Sequence, residues 1–447
     1  MNLNFKNIHI IGIGGAGLNG IAHMLLDQGI KVTGAEKISN KATEVLLERQ
    51  VEIFSDEDCS ILKNTDMILV SSAVKNNHPV LIEAKKLGIP VKTRHWLWSE
   101  LSKLKKIIAI SGSHGKTSVS GMSAHIIRQL NLSYGYIVGI HGKGSGSWNS
   151  GDWMLIEADE YAHTFLSLNP YVALINNIDW DHVDIYSSED EYIEEFVKFS
   201  DSVLSSGGKM IVNGDDSTIL NKELYKNATT FGFSKKNDWI LELIDENQGS
   251  VHFKVIHSGS IYGEYKLPIL GSHSILNAVA ASLSISQTGI ELDKALNALK
   301  NFPGLPRRLE KKFDGEITVF DDYAHSPKEV KSIISTLKNS YKGRRIIVYF
   351  QPHTYSRIKM FMKEFADSLS NVDIVRIGNI YASRESKIDL DLNTLVNYIH
   401  GDDVELSGSI NETIDNINSL IKKGDVLITL NAGDGYKVGN AIIDKYK

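Results

Sequence analysis

Apolar residues along this chain fall into short dense runs separated by stretches of helical spacing. Ile8 to Ile13, Lys31 to Ala35 and Met67 to Val70 have the length of buried strands, and Gly17 to Gln28 reads as a helix between the first two. A second series starts at Ile107 to Ile110 and passes through a glycine-rich turn into a helix from Lys116. It includes strands near Met154 to Ile156 and Val172 to Ile175. A third begins at Ile317 to Phe320 and takes in Arg345 to Phe350, Asp373 to Ile377 and Asp425 to Leu430. Strands of this kind alternating with helices predict α/β architecture with mostly parallel sheets. No repeat of solenoid period and no low-complexity segment interrupts it.

The second series ends near Asn301 to Pro306, where two of the eight prolines flank a glycine. The pattern therefore divides into residues 1–105, 106–306 and 307–447. A length of 447 residues, at about 150 per domain, independently predicts three domains. With 42% hydrophobic and 23% charged residues the composition is that of a globular protein, which excludes fibrous and disordered classes. The net charge of −6 gives no field to attract a polyanion, so no nucleic acid is expected, and a small anion in a local basic pocket is the charge partner left. Cys59 is the sole cysteine; it cannot close an intramolecular disulfide and reads as a small core or surface residue. No apolar run approaches the roughly 18 residues of a membrane span, and the amino terminus meets glycine before a signal-peptide core can form. No membrane association and a cytoplasmic location are the expectation.

Three groups of residues carry chemistry. Gly12, Gly14, Gly15 and Gly17 lie between a strand and a helix, where glycine lets the backbone turn and approach a diphosphate at the helix N-terminus. Glu36 follows the next strand, where an acid can meet a ribose. A tight structural turn would need the same glycines. Ser111-Gly112-Ser113-His114-Gly115-Lys116-Thr117-Ser118 is a shortened P-loop with Ile110 in place of the first glycine. Its N–H groups form an anion nest, Lys116 on the exposed loop supplies charge for ATP phosphates, and the Thr117 hydroxyl can ligate Mg²⁺. Glu157-Ala158-Asp159-Glu160-Tyr161 ends a strand and Asp179-Trp180-Asp181-His182 follows another, which places oxygen donors and one imidazole beside the phosphates. A capping or core role would equally suit a histidine such as His182. Arg307-Arg308, Asp321-Asp322-Tyr323-Ala324-His325 and Gln351 to Arg357 bring further charge to strand ends; paired arginines suit phosphate oxygens, and a solvated charge pair is the bland alternative.

Taken together the motifs IHIIGIGGAGLNGIA, SGSHGKTS, EADEY, NNIDWDHVDIY, GSHSILNA, FPGLPRRLE, DDYAHSPKEV, FQPHTYSR and AGDG resemble, in order and over the whole chain, the Mur ligase family of bacterial cell-wall synthesis. The likeness is greatest to the branch that joins L-alanine to UDP-N-acetylmuramate. That resemblance implies a Rossmann-like UDP-substrate domain, a central P-loop ATPase domain and a Rossmann-like C-terminal domain that recruits the amino acid. It implies that Gly14, Gly15, Glu36, Ser71, Ser72 and Arg94 hold the uridine diphosphate. Gly112, Ser113, His114, Gly115, Lys116, Thr117 and Ser118 would cradle ATP, with Asn277 on the adenine and Arg308 and Asp322 reaching the nucleotide from the C-terminal domain. Thr117 and Glu157 match the first Mg²⁺ site and His182 the ligand of the second, and His325 and Arg357 line the acceptor pocket.

Three positions depart from the branch: Ser326 replaces the second of a histidine pair, Ala324 a glycine and Thr354 an arginine. Lys198, near the place where other members carry a carbamylated lysine, reads as a surface residue. The implied reaction is an ADP-forming acid–amino-acid ligation through an acyl phosphate, with Lys116, His182 and His325 as the catalytic residues. His325 is the candidate base, because an imidazole titrates near neutrality. The partners expected are UDP-N-acetylmuramate and L-alanine, in a monomer or weak homodimer. Two alternatives remain at this point: a recycling ligase that attaches a tripeptide to the same UDP-sugar, and an NAD-dependent oxidoreductase built on the first glycine loop.

Overall fold

A computed structural model describes residues 5–71, 74–140, 142–182, 185–383 and 385–447. They divide into two compact units, the first made of Met1–Leu241, Val255–Gly263 and Leu276–Lys300, the second of Glu242–Lys254, Glu264–Ile275 and Asn301–Lys447. The fold is mixed α/β and its sheets are mostly parallel, as the alternation predicted.

In the first unit a five-stranded sheet runs in the order Glu52–Phe54, Lys31–Ala35, Asn7–Ile11, Met67–Val70, Val91–Thr93, all parallel. This is the order of a dinucleotide-binding half-sheet extended at one edge. The first strand stops at Ile11 rather than Ile13, because the chain turns at Gly12, whose N–H is taken up by the Ala35 carbonyl. The helix Ala16–Asp27 is buried at every residue from Leu18 to Leu25, so it is covered on all sides rather than along one stripe. A second sheet places Lys106–Ser111 between Pro170–Ile175 and Trp153–Glu157, followed outward on one side by Lys209–Asn213 and Ala228–Gly232 and on the other by Gly135–Ile137. Successive connections leave Lys106–Ser111 in opposite directions, so the crevice beyond its carboxyl end is the place where such sheets bind ligands. One continuous hydrophobic core, from Ile8 and Leu18 to Phe196 and Val212, serves both sheets. Asn19, fully buried on the first helix, ties the Gly142 N–H and the Ser145 hydroxyl to it.

The second unit contains the sheet Glu310–Asp314, Thr318–Asp322, Val426–Asn431, Ile346–Gln351, Ile374–Gly378, Val404–Gly408, parallel except at the first strand. Its two faces are covered by separate apolar clusters, one built on Phe320, Val348 and Ile428, the other on Val319, Ile347 and Leu427. Pro327–Ser340 begins with a capping box in which Ser326 and Glu329 satisfy each other's backbone N–H. The serine that departs from the family pattern thus does a helix-capping task.

Candidate active site

At the carboxyl end of Lys106–Ser111 the chain turns through Gly112–Gly115 into the helix Lys116–Gln129. Gly115 caps that helix at φ +79°, and a Cβ there would stand 2.7 Å from Asn176 Nδ2 and 2.8 Å from Asn277 Oδ1, so the position excludes any side chain. Asn277, 6% exposed, is held by the Asn176 amide, which also donates to the His114 carbonyl. Asn177 closes the loop from the other side by accepting from His114 N, while the His114 ring meets Asp179 Oδ2 at 3.0 Å. Ser113 accepts from Asp179 N and shares a 2.7 Å hydrogen bond with the Tyr192 hydroxyl. Ser118, the third helical residue, is half-buried.

Lys116 is the first residue of the helix, not an exposed loop residue. Its ammonium donates to the Gly112 and Ser113 carbonyls and lies 2.9 and 2.8 Å from the two oxygens of Glu160, with 13% of its side chain exposed. Glu160 is fully buried and also receives the Tyr192 hydroxyl and, at 3.3 Å, His182 Nε2. Burial alone would raise the Glu160 carboxyl; Lys116 and His182 reverse that and hold it at about 2. Burial likewise pulls His182 down, and Glu160 and Asp181 more than offset it, so the imidazole titrates above its ordinary value. Among the described residues Asp159, Glu160 and His182 bring one ligand atom each within 4.8 Å of one another. Glu157 stands on the adjacent strand end, where Thr117 and Ser120 hydroxyls and Gly139 N–H fix both its oxygens. Asp159 and Glu160 were named from sequence only as part of the acidic run, without roles of their own, and Ser120 was not singled out. An acid run after a strand does not reveal which carboxylate turns inward until the neighbouring helix is in place.

Around the first glycine loop, Glu36 Oε2 accepts from Gly14 N at 2.9 Å, and Ser71 lies across from Gly12. Gly15 is the N-cap of the next helix. Arg94, first residue of Arg94–Leu104, reaches Asp159 Oδ2 at 3.4 Å. Ser72 lies outside the described residues. Lys198, with 55% of its side chain exposed, pairs with Glu195 on its own helix and remains a surface residue.

In the second unit His325, His353 and Arg357 come together. The His325 and His353 rings meet edge to face at 5.5 Å, and Arg357 Nη1 stands 2.9 Å from His353 Nδ1. Arginine can only donate, so His353 Nδ1 is the acceptor of that hydrogen bond. His353 also stacks on Tyr381, and neither residue was picked out from sequence. Thr354, the arginine position of the branch, sits at φ +61°. Asp322 is buried, accepts from Leu309 and Ala324 N–H groups, and is pushed up to about 7 by burial against the opposing pull of Arg308. Arg308 itself packs its guanidinium over Tyr323.

Comparison with known proteins matches residues 7–106 to the model "Mur ligase family, catalytic domain", 149–285 to "Mur ligase middle domain" and 307–433 to "Mur ligase, glutamate ligase domain". A UDP-N-acetylmuramate–L-alanine ligase of Roseiflexus sp. (strain RS-1) is 35% identical, with 98% of each chain aligned. The chain belongs to the Mur ligase family. A second such Mur ligase, from Persephonella marina, is 36% identical over 98% of this chain and 96% of its own. Among solved structures, the UDP-N-acetylmuramate–alanine ligase of Thermotoga maritima superposes with a TM-score of 0.82 over 99% of both chains at 26% identity. A murein peptide ligase from Psychrobacter arcticus, 21% identical, shares the Mur ligase fold with a TM-score of 0.70.

Proposed function

We propose that the chain joins L-alanine to the carboxylate of UDP-N-acetylmuramate with conversion of ATP to ADP and phosphate, a step in making the peptidoglycan precursor. The observation that carries this reading is full-length identity of about 35% to ligases bearing that name, on a chain whose P-loop lysine is locked into a buried acid cluster. The domains are read as 1–105 for the UDP-sugar, 106–306 for ATP and 307–447 for the amino acid. We place the reaction in the cytoplasm. No helix among the described residues is long and apolar enough to cross a membrane.

In the first step an oxygen of the substrate carboxylate attacks the γ-phosphorus and the bond to the ADP oxygen breaks, leaving an acyl phosphate. In the second a base takes one proton from the alanine ammonium, the freed amine attacks the acyl carbon, and phosphate departs carrying the second proton lost from nitrogen. Gly112 to Ser118 would cradle the phosphates through backbone N–H groups, with Lys116 exchanging Glu160 for the transferring phosphoryl oxygens. Asn277 would meet the adenine, and Arg308 and Asp322 the nucleotide from the second unit. His325 Nδ1 faces the Tyr323 carbonyl at 3.0 Å and Glu329 Oε2 at 3.6 Å; both are acceptors, so Nδ1 carries the proton of the neutral ring and Nε2 is its basic nitrogen. Arg357 is the cation for the alanine carboxylate. Gly14, Gly15, Glu36, Ser71, Ser72 and Arg94 are assigned to the uridine diphosphate.

The donor set also fits Mg²⁺ at two places: the Thr117 hydroxyl and the Glu157 carboxylate, 2.8 Å apart, would hold one ion, and His182, clustered with Asp159 and Glu160, would be a ligand of a second, since a hard cation takes oxygen with an imidazole as a minor partner. When bound, the ions would neutralise phosphate charge. ADP release measured with each substrate omitted in turn tests the whole reading. It should require both UDP-N-acetylmuramate and L-alanine; an equal rate with the tripeptide alone as acceptor, or without the UDP-sugar, would overturn it.

A further inference from the structure

Arg94 belongs to the proposed nucleotide-sugar site, and the role inferred for its partner rests on that reading. Its guanidinium packs against the start of the helix Ala16–Asp27: a Cβ on Gly17 would lie 2.6 Å from Arg94 Nη1. The first turn of that helix carries no acidic residue, and its N-cap Gly15 makes no side-chain hydrogen bond. A cation beside the positive end of a helix dipole is unfavourable unless an anion joins them. Glu36 meets the loop at Gly14 N, and the anion that reaches Arg94 itself comes from the acidic run after Trp153–Glu157. Asp159 Oδ2 stands 3.4 and 3.5 Å from the two guanidinium nitrogens, longer than a well-formed charge-assisted bond, while 11% of the Arg94 and 30% of the Asp159 side chain stays exposed.

Asp159 is meanwhile anchored independently of Arg94. Its Oδ1 accepts from Tyr161 N at 3.1 Å, and its carbonyl takes the Thr164 hydroxyl and Phe165 N. The carboxylate can therefore lose Arg94 without losing its place.

We propose that Asp159 is a positioning residue that acts through Arg94: an internal counter-ion that keeps the guanidinium over the glycine loop in the ligand-free chain and yields it to the diphosphate or carboxylate of the incoming nucleotide-sugar. Asp159 then lowers affinity for that substrate while keeping Arg94 poised to meet it.

The test is calorimetric titration of UDP-N-acetylmuramate into the full chain at low ionic strength, with a chelator present and ATP absent. Asp159→Asn keeps the Oδ1 acceptor for Tyr161 N and removes the charge, and Asp159→Ser does the same by a second route. Either should bind the nucleotide-sugar about twofold to fivefold more tightly than wild type, the range of a partly exposed ion pair, and the gain should shrink at high salt. In an Arg94→Ala background the same substitution should change affinity by less than twofold. A merely structural role for Asp159 would weaken binding. Unchanged or weaker binding by both variants, or a full gain without Arg94, overturns the inference. Failure of the wild-type chain to bind the nucleotide-sugar overturns the substrate reading and the inference together, whereas binding without the gain overturns the inference alone.

Discussion

Lys116 and Glu160 determine each other's state. A lysine after a glycine loop reads as exposed, and removing it would then cost activity alone; the structure instead gives it four oxygen neighbours and leaves Glu160 no solvent. Lys116→Ala should lower turnover by at least about 10²-fold, as loss of one electrostatic contact does. It should also destabilise the chain by about 3–5 kcal/mol, because a buried carboxylate loses its main cation. The pair Lys116→Ala with Glu160→Gln should recover most of the denaturation midpoint and none of the rate. A single variant retaining over half the wild-type ADP release would remove Lys116 from phosphate binding. A second residue-scale effect concerns His9 and His23, 1% and 4% exposed, both held down at about 4, chiefly by burial. Their unfolded forms take a proton below about 6.5 and the folded forms only below about 4, so their contribution to stability falls as pH drops through that window, by of order 2 kcal/mol each, while Asp322, held up at about 7, works in the opposite direction. The check is therefore the difference in urea midpoint between wild type and a His9→Gln, His23→Gln variant; a difference that does not change between about pH 6.5 and 4.5 would contradict this.

At the level of elements, the buried strands were legible because a parallel strand covered on both faces is mostly apolar or small: Met67–Val70 is apolar throughout, Lys31–Ala35 is buried from Val32 onward, and both come out with the predicted ends. Glu52–Phe54, Val91–Thr93, Glu310–Asp314 and Val404–Gly408 were not legible, since each is an edge strand, short and partly exposed, with too few apolar residues to mark it. The two glycine loops were found by their spacing, while Asp159 and Glu160 depended on which way a turn after Trp153–Glu157 points, which no periodicity encodes. Gly17 shows the difference in a testable form. It is the second residue of Ala16–Asp27, where alanine is favoured over glycine by up to about 1 kcal/mol. The nearest atoms to a new Cβ belong to the flexible end of Arg94, so that side chain gives way and the helix does not. Gly17→Ala should therefore melt no lower than wild type yet bind UDP-N-acetylmuramate about tenfold more weakly, the loss expected for one charge-assisted hydrogen bond. Equal affinity in a variant of unchanged melting temperature would take Arg94 out of the substrate site.

For the whole molecule, the proposed assignment distributes the site residues over the two units. Lys116, Glu157, His182 and Arg94 belong to the first, and Arg308, Asp322, His325 and Arg357 to the second. On the proposed assignment, an acyl phosphate formed by the first group would have to meet the alanine nitrogen before water reaches it, because hydrolysis returns the starting carboxylate and wastes the ATP. Exclusion of water needs both groups on one reactant at the same time, and ligand-driven closure is how enzymes built from separate units meet that need. We therefore expect the radius of gyration from small-angle scattering to fall when a non-hydrolysable ATP analogue and UDP-N-acetylmuramate are both present, and to change less with either alone. Arg308 gives the control, since its proposed partner is the nucleotide on the other unit. Arg308→Ala should leave the affinity for UDP-N-acetylmuramate unchanged, lose the compaction, and release more phosphate per molecule of product as the intermediate leaks to water. Scattering curves that superimpose with and without both ligands would count against closure, and compaction that survives in Arg308→Ala would mean that another residue of the second unit engages the nucleotide.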